Sequence, residues 1–415
     1  MNKKKVFHIS RETRNLLIMW IANFSVAASA TMVLPFLSLY IETFGDYSPA
    51  FVQRWSGFVF GITFLVAFLV SPLWGRFGDR FGRKKILLMT GYGIALSIFL
   101  MGYVDSVMEL FILRLFMGLV TGFIPTSLAL ISSQTDKKHA GKVLGTLQTG
   151  TVGGGLIGPL IGGALADGFG FTYTFVITAF VITLATTFVA ISIREVRQTK
   201  SGERLKHQSM GQVLRFIAGN RMLLMIMIIS LLVQTANFSI QPQLALYVSS
   251  LVSAENIAFL AGFAFSVTGL GNLVATRSWG KLGDEIGHEK VLVICVTLGA
   301  IFFIPQAFVT DIWQLIVLRF LFGIQIGGII PCATAYIRRV VPLHVQGEVL
   351  GYNQSFRFLG NVTGPVLGGI IAGYYTISAI FFFSTSLFVL AAFGLWWAIS
   401  KNAKRGSSRH SSMGN

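Results

Sequence analysis

The sequence predicts an all-α membrane protein, with 12 transmembrane helices in two pseudo-symmetric six-helix bundles. Three observations predict it. Of 415 residues, 53% are hydrophobic and only 12% charged, with a mean hydropathy of +0.71, whereas a soluble domain carries about 25% charged residues. The apolar residues gather into a dozen runs, each near the ~20 helical residues that cross a hydrocarbon core of roughly 30 Å. Glycine-rich stretches of the first half also return in the second half at a nearly constant offset.

The spans are read at 16–41, 56–75, 86–104, 109–131, 142–166, 171–193, 222–248, 257–279, 291–309, 313–337, 347–373 and 376–399. The first is too long for a cleaved signal peptide and lacks a small-residue cleavage site, so it is expected to remain as a helix. If the N-terminus is cytoplasmic, inner segments hold 29 of the 33 Lys and Arg residues, and outer loops hold one, Arg54. That asymmetry is the positive-inside rule, and it predicts two cytoplasmic termini; short loops and the absence of a large soluble domain point to a bacterial cytoplasmic-membrane location. The resulting division is a cytoplasmic N-terminus at 1–15, bundles at 16–193 and 222–399, a cytoplasmic linker at 194–221 and a disordered tail at 400–415. A short amphipathic helix is expected in the linker around Val213 to Ile217.

The net charge of +17 therefore reports topology, and no nucleic-acid partner is expected. Cys295 and Cys332 both fall inside spans, so no disulfide framework is expected. The chain shows no phosphate-binding loop of the G-x-x-x-x-G-K-[ST] type, no nucleophile with its base and no metal-ligand cluster. It reads as neither an enzyme nor an ATP-driven pump, with no metal or cofactor. It is expected to be a monomer in the bilayer.

The repeat is specific. Adding 205 to Trp74, Gly75, Gly78, Asp79 and Gly82 gives Trp279, Gly280, Gly283, Asp284 and Gly287; Arg114, Gly118 and Gly122 land on Arg319, Gly323 and Gly327. At an offset of 206, Gly154, Gly158, Pro159, Gly162 and Gly163 fall on Gly360, Gly364, Pro365, Gly368 and Gly369. At 207, Pro35 and Tyr40 fall on Pro242 and Tyr247.

Parallel six-helix halves related by an axis along the membrane normal, with substrate sites near the midplane, are the architecture of the major facilitator superfamily. The stretch GRFGDRFGRKK at 75–85 resembles that family's signature loop. Arg114 with Gly118 and Gly122 resembles a second motif. Gly154-x-x-x-Gly158-Pro159-x-x-Gly162-Gly163 resembles a third, associated with the drug/proton antiporter branch. The resemblance implies a secondary efflux transporter of small drug-like compounds working by alternating access in exchange for protons. A proton-coupled importer of a small polar or anionic solute, and a lipid flippase, stay open as alternatives.

The signature loop carries Gly75, Gly78, Asp79, Arg80, Gly82, Arg83 and Lys84. Its glycines permit a tight turn, and its cations serve topology at the least. The resemblance further implies that Asp79 sits against the N-terminal end of span 11, near Gln346 and Gly347, as a conformational latch extended by Arg83 and Asp136. In span 5, Gly150, Gly154, Gly158 and Gly162 form a small-residue stripe for close packing. Pro159 with Gly163, and Gly364 with Pro365 in span 11, are candidate hinge and packing residues. Only Arg114, Arg319 and Arg357 place a cation within spans away from their inner ends, at several kcal/mol each unless paired or hydrated. Arg357 stands near the midplane, and Gln354 and Asn361 share its helix face. With Gln148, the repeat mate of Gln354, and with Gln234, Asn237 and Gln241 at helical spacing on span 7, they are the candidate substrate-binding residues. No carboxylate lies deep in a span, so proton coupling falls to Asp79, to Arg114, or to the outer-end acids Asp105 and Glu109.

Overall fold

A computed structural model describes residues 11–135, 139–193, 210–252 and 256–411. The first half comprises α1 (Arg11–Met32), α2 (Leu37–Glu42), α3 (Pro49–Phe81), α4 (Arg83–Met101), α5 (Val107–Leu119), α6 (Phe123–Gln134), α7 (Ala140–Phe169) and α8 (Phe171–Ser192). After α9 (Met210–Gly219), the second half comprises α10 (Arg221–Ser239), α11 (Leu244–Leu251), α12 (Ile257–Ile286), α13 (His288–Phe303), α14 (Ile312–Val340), α15 (Leu343–Tyr374) and α16 (Ile377–Ser411).

Spans 1 and 7 are both interrupted, because proline removes a backbone donor and clashes with the preceding turn. Pro35 opens a 3-10 turn at Leu34–Phe36 between α1 and α2, and Pro242 does the same at Gln241–Gln243 between α10 and α11. Span 4 is broken between α5 and α6 at Val120–Gly122, whereas its repeat mate α14 runs on without a break.

Among the described residues, eleven segments are long and apolar enough to cross a membrane. The twelfth crossing is α15, whose 32 residues suffice in length. Its apolar character is diluted by Asn353, Gln354, Arg357 and Asn361.

Two expected boundaries shift. The signature loop is not a loop: α3 continues to Phe81 and α4 begins at Arg83, so the turn is the single residue Gly82 with φ 99°. Gly287 repeats it at φ 101° between α12 and α13. Left-handed φ is what glycine alone adopts without strain. Gly75 and Gly78 are helical, and a Cβ at Gly75 would meet nothing within 4 Å. At the other end of the chain, α16 passes the expected boundary at 399 and stays helical to Ser411.

Each half has its own apolar core, the first built around Phe36, Phe60, Phe123 and Phe175 and the second around Phe303, Phe322, Phe381 and Phe388. Polar bonds repeat with the fold. Tyr40 donates its hydroxyl hydrogen to the Met101 carbonyl (2.7 Å) and Tyr247 does so to Gln306. Trp74 Nε1 donates to the Leu119 carbonyl (2.9 Å), and Trp279 Nε1 to that of Ile324 (2.7 Å). The linker helix α9 packs on α10 and α15 through Val213 and Ile217, both buried.

Candidate transport site between the halves

The halves meet along two seams, α7 on α12 and α3 on α15, and small residues determine how closely. A Cβ on Gly163 would strike the Ala258 carbonyl, and one on Gly369 the Gln53 carbonyl. Gly262 lies under the Pro159 carbonyl and Gly57 under that of Pro365. All four contacts obey the repeat offsets, so each seam is a copy of the other. Proline at 159 and 365 leaves a carbonyl four residues back without its helical donor, and it stands where the two halves touch.

Within each half, the glycine stripe seats α7 on α1 and α15 on α10. Gly150, Gly154, Gly158 and Gly162 abut the backbone of Trp20, Phe24, Ala28 and Met32, while Gly360, Gly364 and Gly368 abut that of Leu231, Thr235 and Ser239.

Toward the end that carries the Gly82 and Gly287 turns, the halves part. Gly141 and Gly145 on α7, and Gly347 and Gly351 on α15, have nothing within 4 Å of a Cβ position. Gln346 Nε2 donates to the Arg338 carbonyl of its own half (2.7 Å). Asp136 lies outside the described residues, as does the side chain of Asp79. The neighbouring cations act inside the first half. Arg83 Nη1 donates to the Ala129 carbonyl of α6, Lys84 Nζ to the Ala190 carbonyl near the end of α8 (2.7 Å), and the Arg80 guanidinium lies 5.2 Å from the Phe81 ring centroid. Cations favour the C-terminal ends of helices, so Arg83 and Lys84 tie α4 to two neighbours.

The wall of the opening is most polar on α15. Arg357 is half-buried, and its Nη1 donates to Gln354 Oε1 (2.9 Å), while its Nε is buried with no partner. Leu359, exposed at 42%, lies about 200° round the helix from Arg357 at ~100° per residue. The guanidinium thus points away from the apolar exposed face. Gln234 Nε2 on α10 donates to Asn361 Oδ1 (3.0 Å), and one turn away Ser230 donates to Asn353 Oδ1 (2.8 Å). Gln148 is exposed on α7 and Asn237 half-buried on α10. Gln241 does not continue the α10 face: the helix ends at Ser239 before Pro242, and Gln241 is buried in the 3-10 turn with Oε1 unpartnered.

Across the far end of the opening, Phe238 of α10 stacks edge-on against Phe60 and Phe64 of α3, at 6.2 and 5.6 Å between centroids. This aromatic bridge between the halves carried no signal in the sequence, where Phe is the commonest aromatic and most of its copies are core or lipid-facing. Asn23 is fully buried on α1 with neither amide atom hydrogen-bonded.

Arg114 and Arg319 are each 2% exposed, with Nε and Nη2 buried and unpartnered. Both are sealed inside the protein. Glu109 and Asp105 stand at the start of α5. Ser106 caps that helix by accepting from Glu109 N (3.3 Å), and Glu109 Oε2 accepts from Asp105 N (3.1 Å). In the repeat, Asp311 caps by accepting from Trp313 N (2.7 Å), and the neutral Gln314 takes the place of Glu109 by accepting from Thr310 N (3.0 Å). No cluster of three or more His, Cys, Asp or Glu residues that could hold a metal exists among the described residues.

Two repeated six-helix halves, with a polar opening between them, define a membrane transporter of the non-enzymatic carrier type. The chain belongs to the Major Facilitator Superfamily, whose profile matches residues 19–276 and 256–413. It is 58% identical over 378 residues to the "Uncharacterized MFS-type transporter YuxJ" of Bacillus subtilis (strain 168), covering 91% of this chain and 96% of that one. It is 38% identical over 394 residues to "Multidrug resistance protein MdtG" of Dickeya zeae (strain Ech586), covering 94% and 96%. Among solved structures, a bacterial homolog of the human lysosomal transporter Spinster, inward-facing and occupied, aligns with a TM-score of 0.79 at 14% identity over 93% and 96% of the two chains. The D-xylose-proton symporter aligns at 0.73 and 15% over 92% and 96%.

Proposed function

We propose that the protein is a secondary active exporter of small amphiphilic compounds that works by alternating access in exchange for protons. In this reading the basic loops and both termini face the cytoplasm, so the opening described above faces inward and loads substrate from the cell or the inner leaflet. The relatives named for multidrug resistance support the direction. The observation that carries the reading is the polar face of α15, where Arg357 and Gln354 line the gap between two halves that are sealed at the far end. In the opposite state Asp79 would meet the N-terminal end of α15 near Gln346 and Gly347, where a carboxylate is favoured, and would latch the cytoplasmic side.

Arg357 also narrows the substrate class. A fixed cation at mid-depth with no carboxylate beside it favours anionic, zwitterionic or neutral polar compounds over lipophilic cations. At ~5 Å and an effective dielectric of 20 the charge interaction is about 3 kcal/mol before screening. That same feature favours the second reading, a proton-coupled importer of a small polar or anionic solute. Proteoliposomes of fixed orientation separate the two. Under an inward proton gradient an exporter accumulates an anionic dye on the side facing the outer ends of the helices. An importer moves it to the basic-loop side, and no gradient-dependent flux of any dye or solute would defeat both.

A further inference from the structure

The far end of the two seams is chemically unequal, and the inequality falls on one residue. At the last turn of α7, Asp167 reaches across to the other half, where its Oδ1 accepts from Ala258 N (3.2 Å) and its Oδ2 from Phe259 N (2.7 Å). Those are first-turn amides of α12, which begins at Ile257, and first-turn amides have no partner within their own helix. A carboxylate there also meets the positive end of the helix dipole.

The repeat mates of Asp167 and Phe259 are Gly373 and Arg54, by the offsets of 206 and 205. There the arrangement is inverted. Gly373 supplies no side chain, and the Arg54 side chain packs against it, with its Cγ 2.7 Å from where a Gly373 Cβ would be and its guanidinium 5.5 Å from the Tyr374 ring centroid. Arg54 Nε donates to the Ala50 carbonyl of its own helix (3.1 Å), so this seam closes by packing. The α7 seam closes by two charge-assisted hydrogen bonds, which are roughly twice as strong as neutral ones.

Among the described residues, nothing on the neighbouring elements competes for the carboxylate. The first turn of α12, the 3-10 turn at Leu34–Phe36, the near end of α1 and the whole of α6 carry no charged side chain, and the start of α8 offers only Tyr173. We propose that Asp167 is the latch of the outer gate. It joins the halves when the far end is shut, must let go of α12 for the far end to open, and so sets the ratio of the two access states. The proposal requires only that the halves change their relative angle, whatever the substrate or direction of transport.

The test uses the full chain in nanodiscs, with both native cysteines replaced by alanine and spin labels at positions 173 and 308, exposed sites at the outer ends of opposite halves. Asp167→Asn keeps the shape but loses the charge and one acceptor. It is expected to raise the ratio of long to short distances on the order of tenfold, with Asp167→Glu recovering most of the short population. Asp311→Asn removes the charge of a helix cap that stays within its own half and is expected to change nothing across the gate. An unchanged distribution in Asp167→Asn overturns the proposal, and so does a lowered melting temperature with unchanged distances, because the bonds would then be fold bonds alone. If Asn does not yield folded protein, Asp167→Glu and Asp167→Ala decide: short distances in Glu beside a long-distance majority in Ala support the latch, and distances in Ala as short as in the parent overturn it.

Discussion

Helices α7 and α15 occupy equivalent places in the two halves, and they differ in what they carry. Both lay a glycine stripe on a neighbour of their own half and a glycine and a proline against the other half. On α15, however, Asn353 stands where α7 has Leu147, Phe356 where it has Gly150, Arg357 where it has Thr151, and Asn361 where it has Gly155. The seams have been kept in duplicate because backbone contact between the halves is a property of the symmetric frame. The Gln148 and Gln354 pair is kept, but the arginine and the two asparagines exist once, so the opening has a charged wall and an uncharged one. A symmetric scaffold thus surrounds an asymmetric site, and duplication itself separates packing from binding.

The most severe way to break the duplicated part is to fill a seat. Gly368→Val places a branched side chain against the Ser239 backbone, which cannot swing aside as a side chain would. The expected loss is about 3 kcal/mol, the upper end for overpacking, read as a fall in thermal unfolding temperature in detergent. Gly162→Val, its mate against Met32, is expected to cost a similar amount, while Gly145→Ala, with open space around it, costs nothing and gains slightly in helix propensity. If Gly162→Val is tolerated and Gly368→Val is not, the two glycine stripes are not equivalent.

Breaking the unduplicated part leaves the fold and changes selectivity. Arg357→Gln is expected to lower transport of an anionic compound on the order of a hundredfold, if the roughly 3 kcal/mol charge interaction is expressed. Arg357→Lys keeps part of it, and neutral compounds suffer less. Melting curves beside the transport assay distinguish a lost charge from a lost fold, and anion transport unchanged in Arg357→Gln would remove Arg357 from the site. A milder change is Gln234→Ala, which leaves Asn361 Oδ1 without its donor. The loss is about 1 kcal/mol of stability, with a smaller effect on transport than at Arg357.

The frame was legible because its causes are local and repeated. Apolar length fixes the spans, Pro35 and Pro242 announce the same break twice, and the offsets near 205 align every seam glycine. The site was legible only in part. Arg357, Gln354 and Asn361 stand out because charge and amide are rare inside a span. The spacing pairs Arg357 with Gln354, but the partner of Asn361 depends on how α10 and α15 turn toward each other, which no spacing encodes. Asp167 bonds to backbone amides that any residue would supply, so nothing at Ala258 or Phe259 signals it. The single-residue turn at Gly82 was read as a longer loop because its basic residues look like a chain leaving the membrane, whereas α3 and α4 carry them on helix ends.

The smallest effect separates a cap from a proton site. Glu109 is an ionisable group near the far end, and in composition it is an attractive proton carrier, but in the structure it closes the first turn of α5 by accepting from Asp105 N. In the second half the neutral Gln314 makes the same bond at the equivalent place, so the bond does not need a charge. Glu109→Gln is therefore expected to keep the cap, losing only the favourable interaction of a carboxylate with the helix N-terminus, about 0.3–1 kcal/mol at an exposed site. Gradient-driven transport is expected to stay within about twofold of the parent. The measurement is flux against an imposed proton gradient beside a melting curve. Loss of gradient dependence with an unchanged melting temperature would make Glu109 a proton site, and it would mean that the two halves differ at their outer caps as well as along α7 and α15.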